Sequence, residues 1–143
     1  RIGNFRVKAY DVTHDAKEPV CFEIYHKKTG KIVFITDTFY CRYLFQNVNH
    51  FLIEANYDER ILLNKIYDND MFFLKKRVMN NHFSIDETVN YLNKSDISKV
   101  NTILLLHLSD SNSDAEMFKT IVQEATGKLT YIAETWTAFE LQN

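Results

Sequence analysis

Apolar and polar positions alternate, cluster and break along the chain in a way that predicts strands and helices in turn. Phe5-Arg6-Val7-Lys8-Ala9-Tyr10 has a strand pattern, and residues 20–25 repeat the period of two expected of a half-buried strand. Between them Asp15-Ala16-Lys17-Glu18-Pro19 reads as a turn. His26-Lys27-Lys28-Thr29-Gly30-Lys31 reads as a hairpin loop, with Gly30 free to take a positive φ and close onto a strand over 32–35. Residues 40–45 are expected as a short helix, and Phe51-Leu52-Ile53 as a buried strand running out into Glu54-Ala55-Asn56-Tyr57-Asp58. Asp58 is placed to cap a helix reaching about Tyr67, with Ile61, Leu62 and Ile66 on its buried face.

Two later helices carry capping boxes. Ser84-Ile85-Asp86-Glu87 opens one that buries Val89 and Leu92. Ser113-Asp114-Ala115-Glu116 opens another that buries Met117, Ile121 and Val122 and stops at Gly127. Between them the continuous apolar run over 102–106 is a strand covered on both faces, and residues 129–133 and 136–141 are expected as closing strands. Repeats, low-complexity tracts and Pro/Gly/Ser-rich linkers are absent, so the pattern predicts one domain, or a large piece of one, built of α/β or α+β layers. The chain begins at Arg1 and enters a strand pattern almost at once; because a strand needs neighbours, a preceding segment is expected.

Composition changes this picture little. The 143 residues are 45% hydrophobic and 25% charged, enough for a single-domain core and unlike a disordered chain. A net charge of −2 removes the simplest signature of a nucleic-acid binder, although Lys75, Lys76 and Arg77 form a local basic face that the sum conceals. Cys21 and Cys41 lie in apolar, aromatic surroundings without Cys-x-x-Cys spacing, which points to buried free thiols and a reducing compartment. No run approaches the roughly 20 apolar residues needed to cross a bilayer. The expectation is a cytoplasmic protein with no membrane partner.

The candidate chemistry sits where apolar runs end. His14, Asp37, Glu54 and His107 each follow one, and His82 stands just before the helix opened by Ser84. In sheets flanked by helices, ligands and metals collect at strand ends. Each residue also has a plainer reading. His14 suits a hydrogen-bonded turn, and Asp37 suits a cap as well as a hard oxygen ligand. His107, held between Leu106 and Leu108, is expected to be paired or to bind metal. Two histidines and two carboxylates so placed suggest metal-assisted hydrolysis.

Taken in order, His14-Asp15-Ala16-Lys17-Glu18-Pro19-Val20, Ile35-Thr36-Asp37-Thr38, Glu54-Ala55-Asn56-Tyr57-Asp58, Asn81-His82-Phe83-Ser84 and Leu106-His107-Leu108-Ser109 resemble the second half of metallo-β-lactamase-fold hydrolases. The likeness extends to Thr126-Gly127-Lys128 and is nearest to the nuclease-like WalJ (YycJ) group. It implies an α/β fold, a partial αββα sandwich whose C-terminal half, residues 1–143, is a mixed sheet with flanking helices. It implies two divalent ions, zinc or manganese, and a metal-bound hydroxide attacking a phosphodiester of DNA or RNA. His14 then resembles a ligand of the first ion, Asp37 the carboxylate bridging both, and His107 a ligand of the second. By likeness to the RNase Z group, His82 is the expected general acid and Glu54 the residue that orients it.

The sequence also departs from that pattern. The family's His-x-His-x-Asp-His cluster does not occur in this chain. Phe39 follows the Asp-Thr pair and Asn81 precedes the His-x-Ser segment, both where the family usually has glycine. Two arrangements fit: the C-terminal part of a longer hydrolase, completed by a missing N-terminal half or a second subunit, or a shortened, inactive module that binds a protein partner or itself. With so incomplete a ligand set, the chain alone is expected to bind metal weakly unless Asp15 or Asp58 completes the shells.

Overall fold

A computed structural model describes residues 1–64, 69–135 and 138–141. Its centre is one six-stranded mixed sheet in sequential order, β1 (Arg6–Asp11), β2 (Val20–His26), β3 (Gly30–Ile35), β4 (His50–Glu54), β5 (Thr102–Leu106) and β6 (Leu129–Ile132). The first three strands are antiparallel, and β3 to β6 run parallel. The β2–β3 hairpin closes through Gly30 at φ 73°, a conformation glycine adopts without a Cβ penalty.

The parallel strands need crossovers, and the helices supply them. Helices α1 (Glu59–Leu63), α2 (Asn69–Asn81) and α3 (Ile85–Lys94) lie between β4 and β5, and α4 (Ala115–Thr126) between β5 and β6. Ser84 caps α3 through a reciprocal box with Glu87, as the sequence predicts. For α4 the cap is Asp114 rather than Ser113: the Asp114 carboxylate accepts from Met117 N–H, while the Ser113 hydroxyl donates to the Ser109 carbonyl. Gly127, at φ 65°, ends α4.

The two faces of the sheet differ. Val33, Ile35, Phe51, Ile53, Ile103 and Leu105 form one core with Ile85 and Leu92 of α3 and Phe118 and Val122 of α4. On the opposite face Phe22, Ile24, Phe34, Leu52 and Leu106 are half-exposed, and Leu129 and Tyr131 are exposed. These residues alternate with the core positions along each strand, as the pleat requires.

Three expectations need correction or limit. Residues 40–45 are not helical: Tyr40 bridges to Thr13, and Cys41 and Phe45 are drawn into the core as irregular chain, which outweighs the weak tendency of so short a segment to form helix. The helix after Asp58 ends at Leu63, and its expected continuation through Ile66 and Tyr67 lies outside the described residues. Residues 138–141 are irregular, and 136–137 of that expected strand lie outside the described residues. Both cysteines are buried and free.

Candidate metal centre

The C-terminal ends of β3, β4 and β5 are neighbours, so three of the ionisable strand ends meet there. Glu54, the last residue of β4, is fully buried. Its Oε1 accepts from His82 Nδ1 at 2.7 Å and from His107 Nδ1 at 2.8 Å. Its Oε2 accepts from the backbone N–H of Thr38 at 3.0 Å and of Phe83 at 3.4 Å. Four donors therefore occupy the carboxylate, close to its full accepting capacity. Asp37 Oδ1 lies 3.5 Å from His107 Nδ1. Asp37, Glu54, His82 and His107 each offer a ligand atom, and these atoms lie within 4.8 Å of one another.

Hydrogen bonding and charge set the protonation here. Burial pushes the Glu54 carboxyl up, but the hydrogen bonds from His107, His82 and Thr38 outweigh it and leave the group below its ordinary value. The bond to Glu54 raises His107 against its partial burial, with help from the charge of Asp37. Because each imidazole gives its Nδ1 proton to Glu54, the neutral ring carries its lone pair on Nε2, the arrangement typical of histidine ligands backed by a carboxylate.

Backbone strain marks the same place. Among the described residues Asp37, Asn47 and His107 are the non-glycine residues with positive φ, and Asp37 (49°) and His107 (55°) both belong to the cluster. Such conformations persist where surrounding contacts fix them. Asn56 Nδ2 donates to the His107 carbonyl at 2.7 Å, and Ser109 N–H donates to the Asn56 carbonyl. On the other side Thr38 Oγ1 donates to the Thr13 carbonyl, and Phe39 N–H donates to the same oxygen. Asn56, part of the segment that follows Glu54, thereby holds the His107 turn.

His14 stands one ring farther out. Its ring meets the edge of His82 at 5.6 Å between centroids, and His82 meets His107 at 5.1 Å. His14 Nδ1 accepts from Ala16 N–H at 3.0 Å, so the local turn occupies that lone pair, and His14 is outside the group of four. The neighbouring Asn81 accepts from Asp15 N–H and donates to the Asp15 carboxylate, tying this turn to the end of α2. Asp15 also pairs with Arg77, and Asp58 caps α1 and pairs with Arg60, so both carboxylates are engaged away from the cluster. Of the basic face, Lys75 is buried.

The donor set fits a divalent cation: imidazole nitrogen and carboxylate oxygen are ligands for zinc and manganese alike. Asp37 and the His107 imidazole would hold it, with Glu54 behind that ring and His82 beside it.

No protein-family model matches the chain. Exodeoxyribonuclease WalJ of Streptococcus pneumoniae, in strains D39 and R6, is 28% identical over 121 residues, which cover 80% of this chain and 44% of the relative. The chain thus spans under half the length of the curated relatives it matches. Among solved structures, a novel metallo hydrolase from the hyperthermophilic archaeon Ignicoccus hospitalis matches with a TM-score of 0.52 over 93% of this chain and 51% of that one, at 14% identity. That likeness shows the fold. The chain is similar to WalJ, as its motifs imply, and its mixed sheet with flanking helices is an α/β fold of the metallo-β-lactamase type.

Proposed function

We propose that this chain is the C-terminal part of a metal-dependent hydrolase that cleaves phosphodiesters of DNA or RNA. The observation that supports it is the buried carboxylate of Glu54 shared by the Nδ1 atoms of His82 and His107, with Asp37 beside them. Divalent ions, when bound, supply Lewis acidity toward phosphoryl oxygens and make water a stronger acid at neutral pH. In this reading Asp37 and His107 are ligands, Asp37 serving two ions. His14 serves the first ion together with ligands from outside this chain.

The two imidazoles divide the work. His82 would hold a proton for the leaving oxygen, and His107 would hold a cation. Glu54 keeps both rings oriented and excludes water from their inner side. Substrate class follows from the similarity to an exodeoxyribonuclease and from an acid poised beside the cluster, not from charge.

A second reading rests on the half-exposed sheet face. Phe22, Phe34, Leu52 and Leu106 form an apolar surface of the sort that another sheet, a second copy or a partner covers. Here the chain is a shortened, inactive binding module. Intact mass, metal content and single-turnover cleavage of a labelled single-stranded oligonucleotide decide between them, measured on the natural full-length protein. The hydrolase reading expects a longer chain, bound metal and cleavage that Asp37→Asn reduces to background. A mass equal to these 143 residues, without metal or cleavage, selects the binding module.

A further inference from the structure

Beside the cluster, between the segment after β3 and the exposed side of α3, lies a cleft of about 310 Å³. Phe39, Tyr40, Leu44 and Phe83 line it together with Glu87, Asn90 and Lys94 of α3. Phe39 follows Asp37 by two residues and Phe83 follows His82 directly, so the cleft is lined by close sequence neighbours of the candidate metal ligands. Of the four aromatic residues lining it, Phe83 and Tyr91 belong to the core, whereas Phe39 is 39% and Tyr40 58% exposed. Asn90 and Lys94 are exposed as well, and Lys94 makes no ion pair among the described residues. Arg42, by contrast, is held by Asp11 and Tyr43.

We infer that this cleft is a nucleobase subsite, which seats one unstacked base of a single-stranded nucleic acid next to the scissile phosphodiester. The inference rests on the phosphodiesterase reading and deepens it by naming the strand form. Exposed aromatic faces bind bases by stacking without regard to sequence, and a base inside a duplex has no free face to offer. The volume suits one planar ring system, at the lower end of small-ligand pockets. Asn90 offers an amide to the base edge, and Lys94 a cation to the adjoining phosphate. Phe39 is the exposed lining residue nearest in sequence to Asp37.

The test uses the full-length protein and two single-stranded decamers, one ordinary and one with tetrahydrofuran abasic units in place of its nucleosides. Phe39→Ala should raise KM for the ordinary decamer by about 5- to 150-fold relative to its effect on the abasic one, the range expected for one lost stack. Phe39→Trp should restore it. Tyr40→Ala provides a second variant at a more exposed position, and Lys94→Ala should reduce the salt slope of binding by about 0.7. Equal changes on both decamers would overturn the subsite. Fluorescence of decamers carrying 2-aminopurine at either end separates this from the larger reading, because it needs no cleavage. A change in fluorescence on binding that disappears in Phe39→Ala supports the subsite even if no decamer is hydrolysed, an outcome that would defeat the phosphodiesterase reading instead. Fluorescence at both ends that saturating protein leaves unchanged overturns the subsite directly.

Discussion

Two histidine–carboxylate groups lie at the same end of the sheet, and they are built on different principles. Around Glu54 the carboxylate is fully buried and its imidazole partners come from residues 28 and 53 positions away. Around His14 the carboxylate of Asp15 is exposed, the histidine bonds to its own turn, and Asp15 is tied over long range to Asn81 and Arg77. A buried carboxylate must be satisfied by the fold, so it fixes the rings around it. An exposed one leaves its histidine to local geometry.

Removing the centre of the first group should have the largest effect. Glu54→Ala strands two imidazole N–H groups and the N–H groups of Thr38 and Phe83, and should cost about 3–5 kcal/mol of stability together with metal binding. Urea unfolding and metal analysis of the same preparations measure both. A loss below about 1 kcal/mol would show that the carboxylate is not the hub described.

His82→Ala probes one spoke. In the full-length protein, metal content should be retained while single-turnover cleavage slows by about 10²–10⁴-fold, the usual contribution of a general acid. Unchanged turnover on substrates with poor leaving groups would remove His82 from that role, and a fall in melting temperature alone would make it a loop-ordering residue.

Acidity should distinguish the groups next. Glu54 is depressed below its ordinary 4.5, so its contribution to stability is complete above that pH and is lost as pH falls through the folded-state value. His107 is raised above its ordinary 6.5, so its contribution is complete below that pH and is lost as pH rises through the folded-state value. With chelator present, the stabilising effect of the cluster should therefore peak between about pH 4.5 and 6.5, and Glu54→Gln should flatten both limbs. A wild-type and variant difference that does not vary with pH would contradict the pairing.

The smallest effect belongs to the second group. Asn81→Ala deletes two hydrogen bonds to Asp15 and should cost about 1–2 kcal/mol. Turnover should fall far less than in His82→Ala. A comparable kinetic defect would mean that the His14 turn and the Glu54 cluster act as one unit.

What the sequence determined by itself is local. Period-two alternation located β1 and β2, the Ser84 box placed α3, Gly30 and Gly127 marked a hairpin and a helix end, and the apolar runs showed which ionisable residues stand at strand ends. The ordered motifs also carried the likeness to an exodeoxyribonuclease. These signals depend on neighbours within a few residues. Only the tertiary structure decided that Glu54 serves both His82 and His107, that His14 stays with its own turn, and that Asn56 and Asn81 hold the two corners. It also turned residues 40–45 from an expected helix into the irregular wall of a cleft. The reason is the order of the sheet: β5 lies beside β4 across some fifty residues of intervening chain, and hydrogen-bond partners at that separation leave no periodicity in the sequence.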